Sequence, residues 1–94
     1  MSFAHVAIIG LGLLGGSIGL GVQAHLPGTR TSGFDTDPLV RQRAAERGLV
    51  ARVHDDPAAA VQGADLVILC VPVGAIGAAA NAVRHGLEPD ALVS

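Results

Sequence analysis

Apolar positions along this chain fall into two kinds of run. His5-Val6-Ala7-Ile8-Ile9 is apolar without alternation and stops at Gly10. An unbroken apolar run is what a strand buried on both faces requires, as in a parallel sheet. Leu14, Ile18, Val22 and Leu26 then recur at four-residue spacing, one face of a helix that Pro27-Gly28 ends. Thr31-Ser32-Gly33-Phe34 leads to Asp35 as a second strand. Asp37-Pro38 is a helix start, with Asp as cap and Pro at the first helical position. That helix runs from Leu39 to Arg47, and Gly48 stops it. Val50 to His54 predicts a short third strand, and Asp56-Pro57 starts an Ala-rich helix to about Gln62. Leu66 to Val71 is the clearest strand, rich in β-branched residues and closed by Pro72. A last helix is predicted from Ala75 to about His85, stopped by Gly86. Glu88-Pro89-Asp90 is a turn, and Ala91-Leu92-Val93 begins a fifth strand.

Strands alternating with helices of this length predict right-handed crossovers and a doubly wound parallel sheet. The 94 residues leave room for one domain, 1–94. The chain stops inside or just after its fifth strand, where a polar linker is the usual boundary. A longer parent protein, with the sheet cut at its carboxyl end, is therefore expected. Only Phe3 and Phe34 are aromatic, so the core is to be built from Val, Ile, Leu and Ala. Six Arg against eight acids leave a net charge of -2, without the basic excess of a sequence-blind nucleic-acid binder. One Cys supports neither a disulfide framework nor a metal cluster. Val6 to Val22 carries no charge, but it holds six glycines and no flanking base before Arg30. That pattern argues against a signal peptide or a membrane span, and a cytoplasmic location is expected.

The candidate chemistry lies at the strand ends. Gly10-Leu11-Gly12-Leu13-Leu14-Gly15 matches G-x-G-x-x-G directly after a strand and at the opening of a helix, the context the motif needs. Gly10 permits the turn, Gly12 lets a pyrophosphate approach the backbone, and Gly15 lets helix and strand pack closely. The N–H groups of Leu13 and Leu14 are to face the phosphates, where the helix dipole favours negative charge. Asp35 lies twenty residues beyond Gly15 at the end of the second strand. An acid there binds the ribose hydroxyls of adenosine and repels a 2′-phosphate, which selects NAD over NADP. In the strand order 3-2-1-4-5 the first and fourth strands meet at the topological switch point, so Val71 and Pro72 face the glycine loop across the cofactor. The fold class expected is thus a Rossmann-like sheet of about five strands.

Plainer readings stand beside these. Asp35 also suits a turn residue ahead of the Asp37 cap, and Pro72 suits a strand terminator. Ser17 suits either a phosphate contact or a bond to its own backbone. Cys70 reads as a small buried hydrophobe. His5, His25, His54 and His85 are dispersed and read as surface or edge residues, so no catalytic residue and no metal ligand is assigned.

The run Val6 to Ser17, with Gly15-Gly16 followed by Ser17, resembles the amino-terminal signature of prephenate/arogenate dehydrogenases. Gly33-Phe34-Asp35-Thr36-Asp37-Pro38 looks like that family's second-strand segment, and Ala64 to Val73 resembles its fourth strand and following loop. The resemblance implies the NAD-binding part of an enzyme that oxidatively decarboxylates prephenate, or arogenate, in tyrosine biosynthesis. It implies cofactor contacts at Gly10, Gly12, Leu13, Leu14, Gly15, Asp35, Val71 and Pro72. The family's catalytic His, its substrate-binding Arg and its helical dimerisation domain lie downstream of Ser94, so the small-molecule substrate and the homodimer belong to the longer protein. A β-hydroxyacid dehydrogenase or a pyrroline-carboxylate reductase shares much of this pattern but not the Gly-Gly-Ser continuation. A non-catalytic nucleotide-binding module is the alternative of a different class.

Overall fold

The computed structural model describes residues 3–94. Five parallel strands, β1 (His5–Ile9), β2 (Arg30–Phe34), β3 (Arg52–Val53), β4 (Leu66–Leu69) and β5 (Leu92–Val93), form one sheet in the order β3-β2-β1-β4-β5. The intervening helices are α1 (Leu13–His25), α2 (Pro38–Arg47), α3 (Pro57–Val61) and α4 (Ile76–Val83). The order expected at the switch point is the order observed.

Alternate residues of each strand point to opposite faces, and each face carries its own core. On one face Ala7, Ile9, Phe34 and Val67 pack with Ala60 and Val61 of α3 and Val83 of α4. On the other, Val6, Ile8 and Leu11 pack with Ala44 of α2, Val50 and the partly buried Ile18 and Val22 of α1. Ile8 and Ala7 are fully buried. This is why the first strand shows no hydrophobic alternation: both of its faces are covered.

Several expectations are corrected. The third strand is two residues long, not the five from Val50 to His54, because Val50 is drawn into the core beside α1 and Ala51 donates instead to the Thr31 hydroxyl. The fourth strand ends at Leu69; Cys70 still donates to the Ile9 carbonyl, and Val71 has left the ladder for the loop. The last helix opens with a 3₁₀ turn, Val73–Ala75, and closes with another, Arg84–Gly86. Gly86 lies within that closing turn, where a Cβ would strike the Ala58 carbonyl of α3. It is a contact glycine as well as a stop.

The largest correction concerns α1. The stripe Leu14, Ile18, Val22, Leu26 covers the core only in its middle: Ile18 and Val22 are partly buried against it, Leu14 and Leu26 are exposed, and the fully buried residues of the helix are Gly15, Gly16 and Gly19. A Cβ on Gly15 would run into the Gly10 carbonyl, and one on Gly19 into the Leu49 carbonyl. The helix therefore lies closer to the sheet than leucine would allow, and glycine sets that distance.

Candidate functional site

The carboxyl ends of β1, β2 and β4 meet at one edge of the sheet. Gly10 leaves β1 with φ +100°, a value that favours glycine. Its N–H donates to the Phe34 carbonyl at 2.8 Å, and a Cβ there would strike the Cys70 carbonyl. The loop after β1 is thus wedged between the ends of its two neighbours. Gly12 follows as the residue before α1, extended in backbone and without a side-chain cap. A Cβ on Gly12 would meet nothing within 4 Å. The first turn of α1 holds no acid. The N–H groups of Leu13 and Leu14 lie in that turn, where no intrahelical partner exists, so they face solvent at the positive end of the helix dipole. α2 differs, because the Asp37 carboxylate accepts from Leu39 N–H at 2.9 Å and closes its end.

Asp35 sits between these two helix starts. Its Oδ2 accepts from Leu11 N–H at 2.8 Å and its Oδ1 accepts from Asp37 N–H at 2.9 Å. The turn reading of Asp35 is present in the structure, since it makes the turn before α2, and its carboxylate also fastens the glycine loop. Each carboxylate oxygen still has a lone pair for a further donor. Arg41, which sequence reasoning passed over, turns back from α2 and donates through Nη1 to the Asp35 carbonyl at 2.8 Å, with the Thr36 carbonyl at 3.4 Å.

Two clefts flank the glycine loop. One, of about 410 Å³, is lined by Gly10, Asp35, Thr36, Val71, Pro72 and the inner alanines of α4, among them Ala79. It lies beyond the ends of β1, β2 and β4, where the topology reverses. The other, of about 340 Å³, lies between α1 and α2 and is lined by Gly12, Leu13, Ser17, Arg43 and Arg47 among others. The structure thus gathers Gly10, Asp35, Val71 and Pro72 at one cleft. Gly12 and Leu13 stand on the ridge toward the second, Gly15 is buried beneath the loop, and Leu14 is exposed and lines neither. Ser17 is exposed and its hydroxyl makes no hydrogen bond to the described residues.

Asp35 and Cys70 are the titratable residues that line the first cleft, and the Cys70 side chain packs with the Val6 and Ile8 core on the other face of the sheet. Burial pushes the Cys70 thiol up, which keeps it protonated and weakly nucleophilic. Among the described residues no group of three or more His, Cys, Asp or Glu side chains comes together as a metal site. His25 and His85 are exposed. His5 departs from a plain edge residue: it is half-buried at the amino end of β1, and its Nε2 lies 2.7 Å from Ser32 Oγ, which donates to the Ala60 carbonyl. No helix of the described residues is long and apolar enough to cross a membrane.

Residues 18–94 match the family model of the prephenate dehydrogenase nucleotide-binding domain. The chain belongs to that family. The matched span holds Asp35, Val71 and Pro72 and begins after the glycine loop. A cyclohexadienyl dehydrogenase from Zymomonas mobilis is 44% identical over 91 residues, which cover 97% of this chain and 31% of that protein. An arogenate dehydrogenase from Synechocystis superposes with a TM-score of 0.85 at 27% identity, over 95% of this chain and 31% of its own. A prephenate dehydrogenase from A. aeolicus, solved with hydroxyphenyl propionate and NAD+, reaches a TM-score of 0.86 at 24% identity, over 99% of this chain and 33% of its own. That likeness speaks to the fold alone. The chain spans about a third of the length of these relatives. They are dehydrogenases, and the chain is the nucleotide-binding part of such an oxidoreductase family.

Proposed function

We propose that this chain binds NAD and supplies the cofactor half of an enzyme that oxidatively decarboxylates prephenate or arogenate. The observation that carries the reading is the uncapped start of α1. Orphan N–H donors stand there beside open space at Gly12, with the Asp35 carboxylate and a cleft at the adjacent strand ends.

The residues fit a dinucleotide part by part. The adenosine lies in the cleft between Asp35-Thr36 and Val71-Pro72, with the flat base against the small side chains of α4. Asp35 accepts from the ribose hydroxyls through its remaining lone pairs. The pyrophosphate lies over Gly12, on the N–H groups of Leu13 and Leu14, where charge-assisted hydrogen bonds are the stronger kind. Gly10 and Gly15 hold the loop in the shape that makes this approach possible. When bound, NAD supplies the hydride acceptor. The residues that bind and activate the ring substrate belong to the part of the relatives that this chain does not span. A cytoplasmic homodimer built through that part completes the reading.

Calorimetric titration with NAD is the direct test, since the chain has no Trp or Tyr to report binding by fluorescence. Saturable binding is expected. A Cβ at Gly12 meets no protein atom within 4 Å, so Gly12→Val is expected to fold with a melting temperature close to that of the unsubstituted chain. Its NAD affinity is expected to fall at least about tenfold. Unchanged affinity in a folded Gly12→Val variant would remove the glycine loop from the site. With prephenate and NAD, the 94-residue chain is expected to form no NADH; steady turnover would place the chemistry here instead.

A further inference from the structure

Arg41 carries the wrong charge for its place. It lies in the first turns of α2, with its N–H donating to the Asp37 carbonyl at 3.0 Å. Cations near a helix N-terminus oppose the dipole, and helical side chains lean toward that end. The guanidinium is nevertheless drawn back over the β2–α2 turn. Nη1 takes the Asp35 carbonyl at 2.8 Å and reaches the Thr36 carbonyl at 3.4 Å, and Cζ stands 5.6 Å from the centre of the Phe34 ring. Two carbonyls, an aromatic face and the carboxylates of Asp35 and Asp37 in the same turn offset the dipole. Arginine has five N–H donors. Those on Nη2 and Nε make no hydrogen bond to the described residues, and Thr36, which Nη1 holds, lines the adenosine cleft.

We propose that Arg41 is a second determinant of selectivity at the adenosine end. Its guanidinium braces the turn that presents Asp35, and it is the cation that receives a 2′-phosphate once Asp35 is neutral. In the unsubstituted chain the carboxylate next to the ribose repels the phosphate, and Arg41 only braces the turn through the Asp35 and Thr36 carbonyls. With the carboxylate replaced, as in Asp35→Asn, the same cation remains hydrogen-bonded to the carbonyl of residue 35, with donors to spare. This rests on the nucleotide-binding reading above.

The test measures NAD and NADP affinity by calorimetry on four forms of the full chain: unsubstituted, Asp35→Asn, and Asp35→Asn combined with Arg41→Gln or with Arg41→Lys. Asp35→Asn is expected to shift the NADP-to-NAD affinity ratio toward NADP by about 10- to 100-fold, the value of a hydrogen bond to a charged group. Adding Arg41→Gln is expected to return the ratio to within about threefold of the unsubstituted chain, while Arg41→Lys retains most of the gain. A residue that merely shores up the turn would weaken both dinucleotides alike and leave the ratio where Asp35→Asn put it. That result overturns the proposal, as does NAD binding by the unsubstituted chain with no NADP gain in Asp35→Asn. Failure of the unsubstituted chain to bind either dinucleotide overturns the nucleotide-binding reading, and this proposal with it. Amide NMR shifts of Leu11 and Asp37 give a readout without ligand: in the Arg41→Gln single variant both are expected to move, because both donate to the Asp35 carboxylate.

Discussion

A glycine's role here depends on what its missing side chain would touch. Gly15 and Gly21 both lie in α1, and helix propensity treats them alike. At Gly15 a Cβ meets the Gly10 carbonyl, which is backbone and cannot swing aside; at Gly21 it meets nothing within 4 Å. Gly15→Ala is therefore expected to destabilise the fold by about 1–3 kcal/mol, the cost of overpacking. Gly21→Ala is expected to stabilise it by about 0.5–1 kcal/mol through helix propensity and unfolded-state entropy. Urea unfolding of the two variants checks both signs at once, and equal shifts would refute the packing account of α1. The glycine fingerprint itself was legible in the sequence from its spacing and its place after a strand. The contacts of Gly16 and Gly19 were not, because only the tertiary approach of Leu49 from the α2–β3 segment gives those two their packing role. Arg41 was missed for a similar reason. The one signal in the chain was a cation too close to a helix start.

Helix starts carry the same lesson at the level of elements. Asp37-Pro38 and Asp56-Pro57 are the same motif, and each opens a helix. In the structure only the first is a working cap: the Asp37 carboxylate accepts from Leu39, whereas Asp56 makes no side-chain cap bond. Asp37→Ala is expected to cost about 1 kcal/mol. Asp56→Ala is expected to stay within about 0.5 kcal/mol. Chemical denaturation separates them, and equal losses would show that the cap bond is not what sets the difference. At the other end of α2 the sequence reading of Gly48 holds: it adopts φ +61° and its N–H closes onto the Ala44 and Ala45 carbonyls. Strand lengths were less legible. Pairing decides where a strand stops, and Val71 reads as strand by composition while having left the ladder for the loop at the cleft.

At the scale of the whole molecule, the amino-terminal end of the sheet sets the response to acid. The Asp65 carboxylate, ahead of β4, accepts from Ala4 and His5 N–H at 2.9 Å each, and these bonds hold its pKa below the usual carboxylate range. Burial, with Arg30 and His54 adding to it, lowers the His5 pKa against the opposing pull of Gly63 and Asp65. Both signs lead the same way. A His with a depressed folded-state pKa contributes stability that is present above its ordinary value of 6.5 and is lost as pH falls through the folded value. A depressed Asp contributes stability present above 3.8 and lost as pH falls below it. The melting temperature is thus expected to be flat between about pH 7.5 and 8.5, to fall first as His5 protonates, and to fall again in strong acid. His5→Gln keeps a polar partner for Ser32 and is expected to flatten the first descent. A descent of unchanged slope in that variant would assign it to another group.

The order of strands and helices, the glycine loop, the acid at the end of β2 and the family likeness were all determined by the sequence alone. They depend on local periodicity and on residue types at fixed spacing, which need no knowledge of neighbours. The tertiary structure alone decided which face of α1 is buried, where β3 and β4 stop, which of two like caps works, and that Arg41 reaches the turn holding Asp35. Each of these depends on contacts between residues far apart in the chain or on a side chain folding back, and no local pattern encodes them.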